Sequence, residues 1–356
     1  MPTPADPLGH ALLARRLAQI PGALAGMLDR PPPPLAPATR AARRFLITGT
    51  GSSEAHARHL CALINLHTDR AATFLPLSSF TVPAPQAAWR DKTLVVFSQG
   101  LSPNAQLALR RHRGFAHTLL FTAATPAITR GAGKPERADL LQTLLDSGAE
   151  LIPFPLAEEY TTLIRFVGPM CGYLAALQFV ARLDGCSFAP PRPEQVLPPL
   201  DSAPPPELVA AMQDHPQRFA QGFNLLVSAP VSDYAQNLSC KFMEGLFWRC
   251  PMVSDFLQFA HGPFQQTTAA PSPVLILRNN TASDAEFVHR SVEMLRGVAI
   301  ETHVLHVAAD PLFAIFGFEA ALNRLVFDLM QRQRTDQINW PGKGRDDLLY
   351  GFCPDT

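Results

Sequence analysis

The sequence predicts an α/β fold made of two domains in tandem, each a three-layer arrangement with a parallel sheet between helices. Short apolar runs alternate with helical segments in both halves, which is typical of parallel sheets flanked by helices. A stretch with eight prolines, residues 189–206, separates the halves and is expected to form neither a helix nor a central strand. The length of 356 residues suits two domains, since a domain has about 150 residues on average.

The elements of the first half follow from hydrophobic spacing and from the turn residues between the apolar segments. In chain order we predict a helix over 8–28, a strand over 45–48 followed by a turn and a helix, a strand over 93–97 followed by a turn and a helix from about 103, strands within 117–123 and 149–156, and a buried helix within 161–183.

The second half repeats this order of elements without repeating the residues. We predict a strand over 224–229, a helix through Lys241 and Phe247, a strand within 251–259, a strand over 273–279, a helix over 284–296, a strand within 301–307 and a helix over 313–331.

The predicted boundaries follow from these elements. They are 1–40 for an N-terminal helix and proline-rich linker, 41–188 for the first domain, 189–206 for the interdomain linker, 207–334 for the second domain and 335–356 for a C-terminal tail. The tail is polar, and we expect it to fold back over the active site by burying Trp340, Leu349, Tyr350 and Phe352.

Composition excludes several classes of function. Thirty basic residues balance thirty acidic ones, whereas nucleic-acid and polybasic membrane binding depend on excess positive charge. No apolar run reaches the roughly 18 residues of a membrane span, and no secretory signal is visible. Six scattered cysteines without a CxxC pair indicate reduced thiols. We therefore expect a cytoplasmic protein that binds neither nucleic acid nor membranes.

Two turns of the first half contain residues that suit an anion. The segments GTGSS (49–53) and SQGLSPN (98–104) each stand where a predicted strand ends and a helix begins. Backbone N–H groups and serine hydroxyls at a helix N-terminus bind phosphate groups well. A purely structural role is the alternative, because glycine and serine are common in such turns. A dinucleotide site is disfavoured, because the full GxGxxG pattern is absent.

The second half carries a candidate acid–base group. Lys241 and Glu244 are three residues apart and share a helical face, and His261 follows in an HGPF turn. A carboxylate and an imidazole that converge on one pocket can divide the proton transfers of sugar chemistry. The alternative is that Lys241 and Glu244 form an ordinary surface pair.

These segments resemble the sugar isomerase (SIS) family in its tandem form, as in the isomerase half of glucosamine-6-phosphate synthase and the fructosamine-phosphate deglycases. The resemblance covers roughly residues 40–343. The matching residues are Gly51, Ser52 and Ser53 of the first turn; Ser98, Gln99 and Ser102 of the second; the Lys-x-x-Glu pair Lys241 and Glu244; His261, Gly262 and Pro263; and Asp336, Gln337 and Lys343 near the C-terminus.

The resemblance implies a role for each matching group. Glu244 would move a proton between C1 and C2, His261 would assist ring opening, and Lys343 would form or support an imine. The two first-half turns would bind the substrate, with Lys241 and Glu158 also at the site. No metal or organic cofactor is implied. The expected assembly is a homodimer whose site lies at the subunit interface, with His261 often supplied by the neighbouring subunit.

The implied function is that of a sugar isomerase, deaminase or deglycase acting on a ketose or fructosamine-type sugar, in phosphorylated form, by enediol or enamine chemistry. We expect no glutaminase domain, so the resemblance does not predict the synthase reaction. The alternative is a non-catalytic regulatory protein that binds a sugar phosphate. Two departures from the family pattern favour that alternative: SQGLSPN has one serine fewer, and Gln258 replaces a glutamate before the histidine.

Three further features of the sequence are not expected to take part in ligand binding or catalysis. The turn SAPVSDY (228–234) replaces a glycine-rich turn, and we expect it to be degenerate as a ligand site because Pro230 offers no N–H. His56 and His59 lack partners at metal-ligand spacing, so a metal site there is disfavoured. Cys240 and Cys250 flank the site without an evident base, which favours packing.

Overall fold

A computed structural model describes residues 6–30, 32–82, 88–154, 159 and 161–352. The chain divides into two compact units. The five-stranded unit comprises Gly26–Glu158, Gly168–Pro191 and Pro341–Thr356, and the four-stranded unit comprises Met1–Ala25, Glu159–Val167 and Arg192–Trp340. Helix α1 (His10–Leu28) contains the first boundary between them. Across the described residues, no helix has both the length and the hydropathy needed to cross a bilayer.

The five-stranded unit is a parallel sheet with helices between its strands. Its elements are α2 (Pro37–Ala41), β1 (Arg44–Thr48), α3 (Ser52–His67), β2 (Ala71–Phe74), β3 (Thr93–Phe97), α4 (Pro103–Leu109), β4 (His117–Thr122), α5 (Pro126–Gly131), α6 (Pro135–Asp146), β5 (Glu150–Pro153) and α7 (Val167–Val180). The strand order is β2-β1-β3-β4-β5, and every neighbouring pair is parallel.

Alternating side chains of the central strands fill two separate layers. On one face, Leu46, Leu94 and Leu120 join a cluster with residues of α4 and α6. On the other face, the Phe97 and Phe121 rings stack 4.2 Å apart, and Phe121 meets Phe179 of α7 at 5.3 Å. Strands buried on both faces are typical of a sheet between two helical layers, and this confirms the predicted three-layer fold for this unit.

The four strands of the second unit follow the same order as the first four strands of the five-stranded unit. After α8 (Pro193–Val196) the four-stranded unit contains α9 (Pro206–Asp214), α10 (Pro216–Ala220), β6 (Asn224–Val227), α11 (Val231–Tyr234), α12 (Gln236–Leu246), β7 (Met252–Ser254), α13 (Phe256–Phe259), α14 (Pro263–Ala269), β8 (Val274–Arg278), α15 (Ala282–Arg296), β9 (Thr302–His306) and α16 (Ala314–Gln333). The strand order is β7-β6-β8-β9, again all parallel.

Three details differ from the sequence predictions. Strand β2 was not predicted, because AATF is short and half exposed at the sheet edge and so lacks an apolar pattern. The stretch 189–206 does contain a short helix, α8, because proline at the first helical position loses no hydrogen bond. The C-terminal tail forms α17 (Asp347–Tyr350), and its expected anchors Leu349, Tyr350 and Phe352 are exposed rather than buried in the single chain.

Gly172 of α7 is required by the close approach of a histidine ring. A Cβ atom built at this position would lie 2.3 to 2.5 Å from three ring atoms of His56. The His56 ring is buried and its Nε2 lies 2.9 Å from the Pro169 carbonyl oxygen, so it cannot move away easily. We expect Gly172→Ala to destabilise the protein by about 1–3 kcal/mol in urea unfolding, as overpacking does.

Gly22 of α1 provides the matched control for this prediction. A Cβ atom there meets nothing within 4 Å, and the position is also inside a helix. Gly22→Ala should therefore stabilise by about 0.5–1 kcal/mol. Equal effects of the two substitutions would contradict the packing argument.

Burial of His59 in α3 should make the folded protein less stable at acidic pH. Burial lowers the pKa of His59 from 6.5 to about 3, assisted by the charges of His56 and His67. The unfolded chain therefore binds a proton that the folded chain rejects, so stability falls as the pH drops below 6.5. The loss should amount to about 1.4 kcal/mol per pH unit, continuing towards pH 3.

The test compares unfolding free energies at pH 6.5 and 4 for the wild type and His59→Phe. The aromatic substitution keeps a ring against Tyr173, which the His59 ring meets at 5.2 Å. It should reduce the acid-induced loss by about 3 kcal/mol, whereas His289→Phe, at an exposed site, should not. Parallel acid curves for the wild type and His59→Phe would refute the prediction.

Candidate active site

The two predicted anion turns emerge side by side in the five-stranded unit. Strands β1 and β3 are neighbours in the sheet, and the turns at 49–53 and 98–102 follow their carboxyl ends. From β1 the chain continues to β2 on one side of the sheet, and from β3 it continues to β4 on the other side. The strand order therefore reverses between β1 and β3. Open α/β sheets bind ligands in the crevice at such a switch point.

The turn after β1 leaves several donors available. Gly51 has φ +61°, which favours glycine, and a Cβ at Gly49 would lie 2.4 Å from the Ser53 carbonyl oxygen. No side chain caps the start of α3. Among the described residues, the hydroxyls of Ser52 and Ser53 form no hydrogen bond, and both side chains are partly exposed. An uncapped N-terminus of a 16-residue helix with two free hydroxyls is well suited to an anion.

The turn after β3 is braced by its own serines. Ser98 Oγ accepts a hydrogen bond from the Ser102 N–H at 3.1 Å, and Ser102 Oγ accepts from the Ala105 N–H at 3.4 Å. Ser98 is buried, while Gln99 and Ser102 are partly exposed. Ser98 therefore fixes the turn, and the hydroxyl proton of Ser102 is left to donate outward.

The equivalent crevice of the four-stranded unit, between β6 and β8, is filled by a protein carboxylate. Asp284 is buried and accepts hydrogen bonds from Ser228 Oγ at 2.8 Å, from the Asn279 N–H at 2.7 Å and from Asn279 Nδ2 at 2.9 Å. The donors that could hold a ligand anion are bonded to the protein's own anion. The turn SAPVSDY thus has an internal structural function.

Glu244 is held in place by a buried glutamine. It lies in the last turn of α12, where carbonyl groups lack partners within the helix. Gln337 Nε2 donates to the Glu244 carbonyl at 2.9 Å and to the Gly245 carbonyl at 3.1 Å, and Gln337 Oε1 accepts from the Ile164 N–H at 3.1 Å. These bonds anchor the backbone that carries the Glu244 side chain.

The Glu244 carboxyl has an unusually high pKa. Burial raises the pKa of Glu244 from 4.5 to about 7, although the positive charges of Lys241 and Arg165 lower it and Cys250 and Glu319 add smaller increases. No hydrogen bond from the described residues reaches the carboxylate, and part of the side chain stays accessible. A carboxylate of this basicity suits proton abstraction near neutral pH.

Lys241 and Glu244 do not form a surface pair. Lys241 is 2% exposed, and its Nζ lies 2.7 Å from Glu319 Oε2 on α16, which is fully buried. Asn237 Nδ2 donates to the other Glu319 oxygen at 2.5 Å. Lys241 therefore stabilises the interior through Glu319 and acts on Glu244 through its charge.

The structure does not bring His261 into contact with Glu244. His261 is exposed in the turn between α13 and α14, and it forms no ion pair with Glu244. Its backbone N–H donates to the Gln258 carbonyl at 3.0 Å. Gly262 has φ +129°, so the turn there requires glycine.

Two predicted site residues remain, Lys343 and Glu158. Lys343 is exposed in the C-terminal tail of the five-stranded unit. Glu158 lies outside the described residues. Its neighbour Glu159 is buried and accepts hydrogen bonds from the Phe166 and Val167 N–H groups at 3.3 and 3.0 Å, so it stabilises the start of α7.

Two charged residues that act on Glu244, Glu319 and Arg165, were not predicted from the sequence. Glu319 stands four residues before Asn323 in the otherwise apolar segment AIFGFEAALNRLVF of α16, and a buried charge in such a segment is a usable signal. Arg165 precedes α7 in a loop and offers no comparable pattern. Within the described ranges, no three His, Cys, Asp or Glu side chains gather as metal ligands would.

The sequence matches no protein-family profile and no curated protein. The structure matches the C-terminal domain of glucosamine-fructose-6-phosphate aminotransferase from Francisella tularensis with a TM-score of 0.68 at 11% identity, covering 92% of this chain and 98% of that one. Tagatose-6-phosphate ketose/aldose isomerase from Escherichia coli matches with a TM-score of 0.64 at 13% identity, covering 94% and 98%. The chain has the tandem sugar isomerase (SIS) fold.

A third structure extends this finding. Glucosamine-6-phosphate deaminase from Thermotoga maritima matches with a TM-score of 0.63 at 12% identity, over 92% of this chain and 96% of that one. At such identities the similarity concerns the SIS fold, and the predicted resemblance is confirmed at that level. Which residues of this chain act on a ligand is a separate question.

Proposed function

We propose that this chain is an isomerase-type enzyme that acts on a phosphorylated ketose or fructosamine-type sugar, with Glu244 as the base. The observation that carries the proposal is the pKa of Glu244, which burial raises to about 7. The solved structures with the same fold include enzymes named for tagatose 6-phosphate and glucosamine 6-phosphate, which supports a sugar-phosphate substrate.

The chemistry requires one group that accepts and returns a proton. In an isomerisation, the Glu244 carboxylate would remove the C1 proton of the open-chain ketose while the C2 carbonyl oxygen gains a proton, giving an enediol. The resulting carboxylic acid would then return its proton to C2 while the C1 hydroxyl loses its proton and becomes a carbonyl. In total one proton moves from C1 to C2 and one from O1 to O2. A pKa near 7 suits both directions, because the group gains and loses the proton readily at neutral pH.

The turns after β1 and β3 are proposed to bind the phosphate. The free hydroxyls of Ser52 and Ser53, the uncapped N-terminus of α3 and the outward hydroxyl of Ser102 support this assignment. We also propose that His261 assists ring opening and that Lys343 supports an imine in deglycase or deaminase chemistry. The homodimer and the cytoplasmic location stay predictions.

The second candidate is a non-catalytic sugar-phosphate sensor. Gln258 stands where the family pattern has a glutamate, and it is exposed one turn before His261. A protein that only binds its ligand would keep the anion turns and tolerate this loss. The retention of Glu244 with a raised pKa favours the enzyme.

A ligand screen followed by turnover assays tests the proposal. The melting temperature of the full chain is measured with fructose 6-phosphate, glucosamine 6-phosphate, a phosphorylated fructosamine and their unphosphorylated forms. The proposal expects stabilisation by phosphorylated sugars, lost in Ser53→Ala for these ligands only, and conversion of at least one of them. Stabilisation without conversion of any ligand would support the sensor.

A further inference from the structure

Two cysteines beside Glu244 form a connected thiol pair. Cys240 lies on α12 and Cys250 lies just before β7, and both are partly exposed and unoxidised. Gln236 Nε2 lies 3.5 Å from both sulfur atoms, so one amide group bridges the pair. Each thiol also shifts the pKa of the other, so the two groups interact directly.

The environments of the two sulfurs differ. Cys250 interacts with the Cys240 thiol and accepts a hydrogen bond from Gln236 Nε2. Ser239 Oγ, which donates to the Pro251 carbonyl, lies 2.9 Å from the Cys250 sulfur. These contacts lower the pKa of Cys250 from 9.0 to about 6, against the opposing effect of burial. The pKa of Cys240 is raised by the hydrogen bond to Cys250, by burial and by the nearby Glu244 carboxylate. These contacts favour the thiolate at Cys250 and the proton at Cys240.

We propose that Cys240 and Cys250 are a peroxide-reactive dithiol, in which Cys250 is oxidised first and Cys240 then closes a disulfide. The oxidant is hydrogen peroxide or an organic hydroperoxide. The Cys250 thiolate attacks one peroxide oxygen, breaks the O–O bond and becomes a sulfenic acid, while hydroxide or alkoxide leaves. Cys240 then attacks the Cys250 sulfur, forms the S–S bond and displaces hydroxide, which takes up the Cys240 proton as water. Two thiols lose two electrons in total, and the peroxide gains them.

Exposed low-pKa thiolates with a second cysteine in reach are the usual sites of reversible oxidation. The other described cysteines lack these features. Cys61 and Cys171 are buried, and burial raises the pKa of the partly exposed Cys186. Cys186 therefore serves as the internal control.

The test uses the reduced full-length chain and peptide mass mapping. The rate of iodoacetamide alkylation is measured from pH 4.5 to 10. Cys250 should show a half-maximal rate near pH 6 and Cys186 above pH 9. At pH 6, Cys250 should react at least about tenfold faster than an ordinary thiol, after allowing for its lower intrinsic nucleophilicity. A Cys250 midpoint above pH 8 would overturn the assignment of the thiolate.

Treatment with a stoichiometric amount of hydrogen peroxide tests the pairing. The wild type should form the Cys240–Cys250 disulfide, and Cys240→Ser should instead accumulate a Cys250 sulfenic acid that dimedone traps. Cys250→Ser should leave Cys240 unoxidised. If the wild type forms no such disulfide, or if Cys186 is oxidised equally fast, the proposal is wrong. These readouts need no substrate, so they fail or succeed independently of the proposed function.

One consequence rests on the proposed function. The Cys250 thiolate is among the charges that raise the pKa of Glu244, and disulfide formation removes that charge. Once a substrate is found, the lower midpoint of its pH–rate profile should move to lower pH in the oxidised chain and return after reduction. An unchanged midpoint in the oxidised chain would separate the dithiol from catalysis.

Discussion

Replacing Glu244 with glutamine is expected to lower turnover by about 10²- to 10⁴-fold, because the amide cannot accept the substrate proton. Ligand binding should persist, because the change preserves the shape of the side chain and leaves Ser52 and Ser53 in place. The measurement is kcat together with the ligand-induced shift in melting temperature. Undiminished kcat in Glu244→Gln would remove Glu244 from the mechanism.

The same substitution should also stabilise the protein at pH 8. The folded chain holds the Glu244 proton up to about pH 7, whereas the reference pKa is 4.5. Stability is therefore lost as the pH rises from 4.5 to 7, and glutamine avoids this loss. The gain in unfolding free energy should grow from near zero at pH 4 to at most about 3 kcal/mol at pH 8. Glu286→Gln, an exposed helical site in the same unit, should change neither turnover nor this pH dependence.

Breaking the Lys241–Glu319 pair is expected to destabilise the protein strongly. Both groups are almost completely buried, so removing one leaves an unpaired charge inside the protein. Lys241→Met and Glu319→Gln should each cost about 3–5 kcal/mol in urea unfolding. The Lys241→Met change should also raise the pKa of Glu244, because the lysine charge lowers it.

A double variant distinguishes the ion pair from simple packing. Lys241→Met with Glu319→Leu removes both charges and should recover most of the stability lost by the single variants. The exposed pair Arg290–Glu286 on α15 is the control, since its removal should cost less than about 1 kcal/mol. Additive losses in the buried double variant would contradict the ion-pair account.

Local sequence patterns predicted most of the fold. Strand β3 consists of five buried residues, TLVVF, bounded by polar turns, and its limits of 93–97 were predicted from that run. The same logic located α4, which begins at Pro103 directly after the serine-containing turn that follows β3. Strand β2 could not be predicted, because an exposed edge strand of four residues has almost no apolar pattern in the sequence.

The candidate site could be predicted only in part, since its chemistry depends on contacts between distant segments. The motif placed Glu244 on a helix, but its raised pKa comes from burial against neighbours that spacing does not reveal. Lys241 was expected near a ligand, and its real partner, Glu319, comes from a helix 78 residues away along the chain. Gln337 was known only as part of a motif, and its hydrogen bonds to the end of α12 required coordinates.

Exchange of substrate carbon-bound protons with solvent is the most direct test of Glu244 as the base, because it requires no net reaction. The wild type, Glu244→Gln and Glu286→Gln are incubated in D₂O with each stabilising sugar phosphate, and the C1 and C2 protons are followed by NMR. The wild type and Glu286→Gln should exchange these protons at a rate that rises as the pH passes about 7, where Glu244 ionises, and Glu244→Gln should show almost no exchange. Tight binding without exchange of any ligand, or equal exchange by Glu244→Gln, would rule out Glu244 as the base.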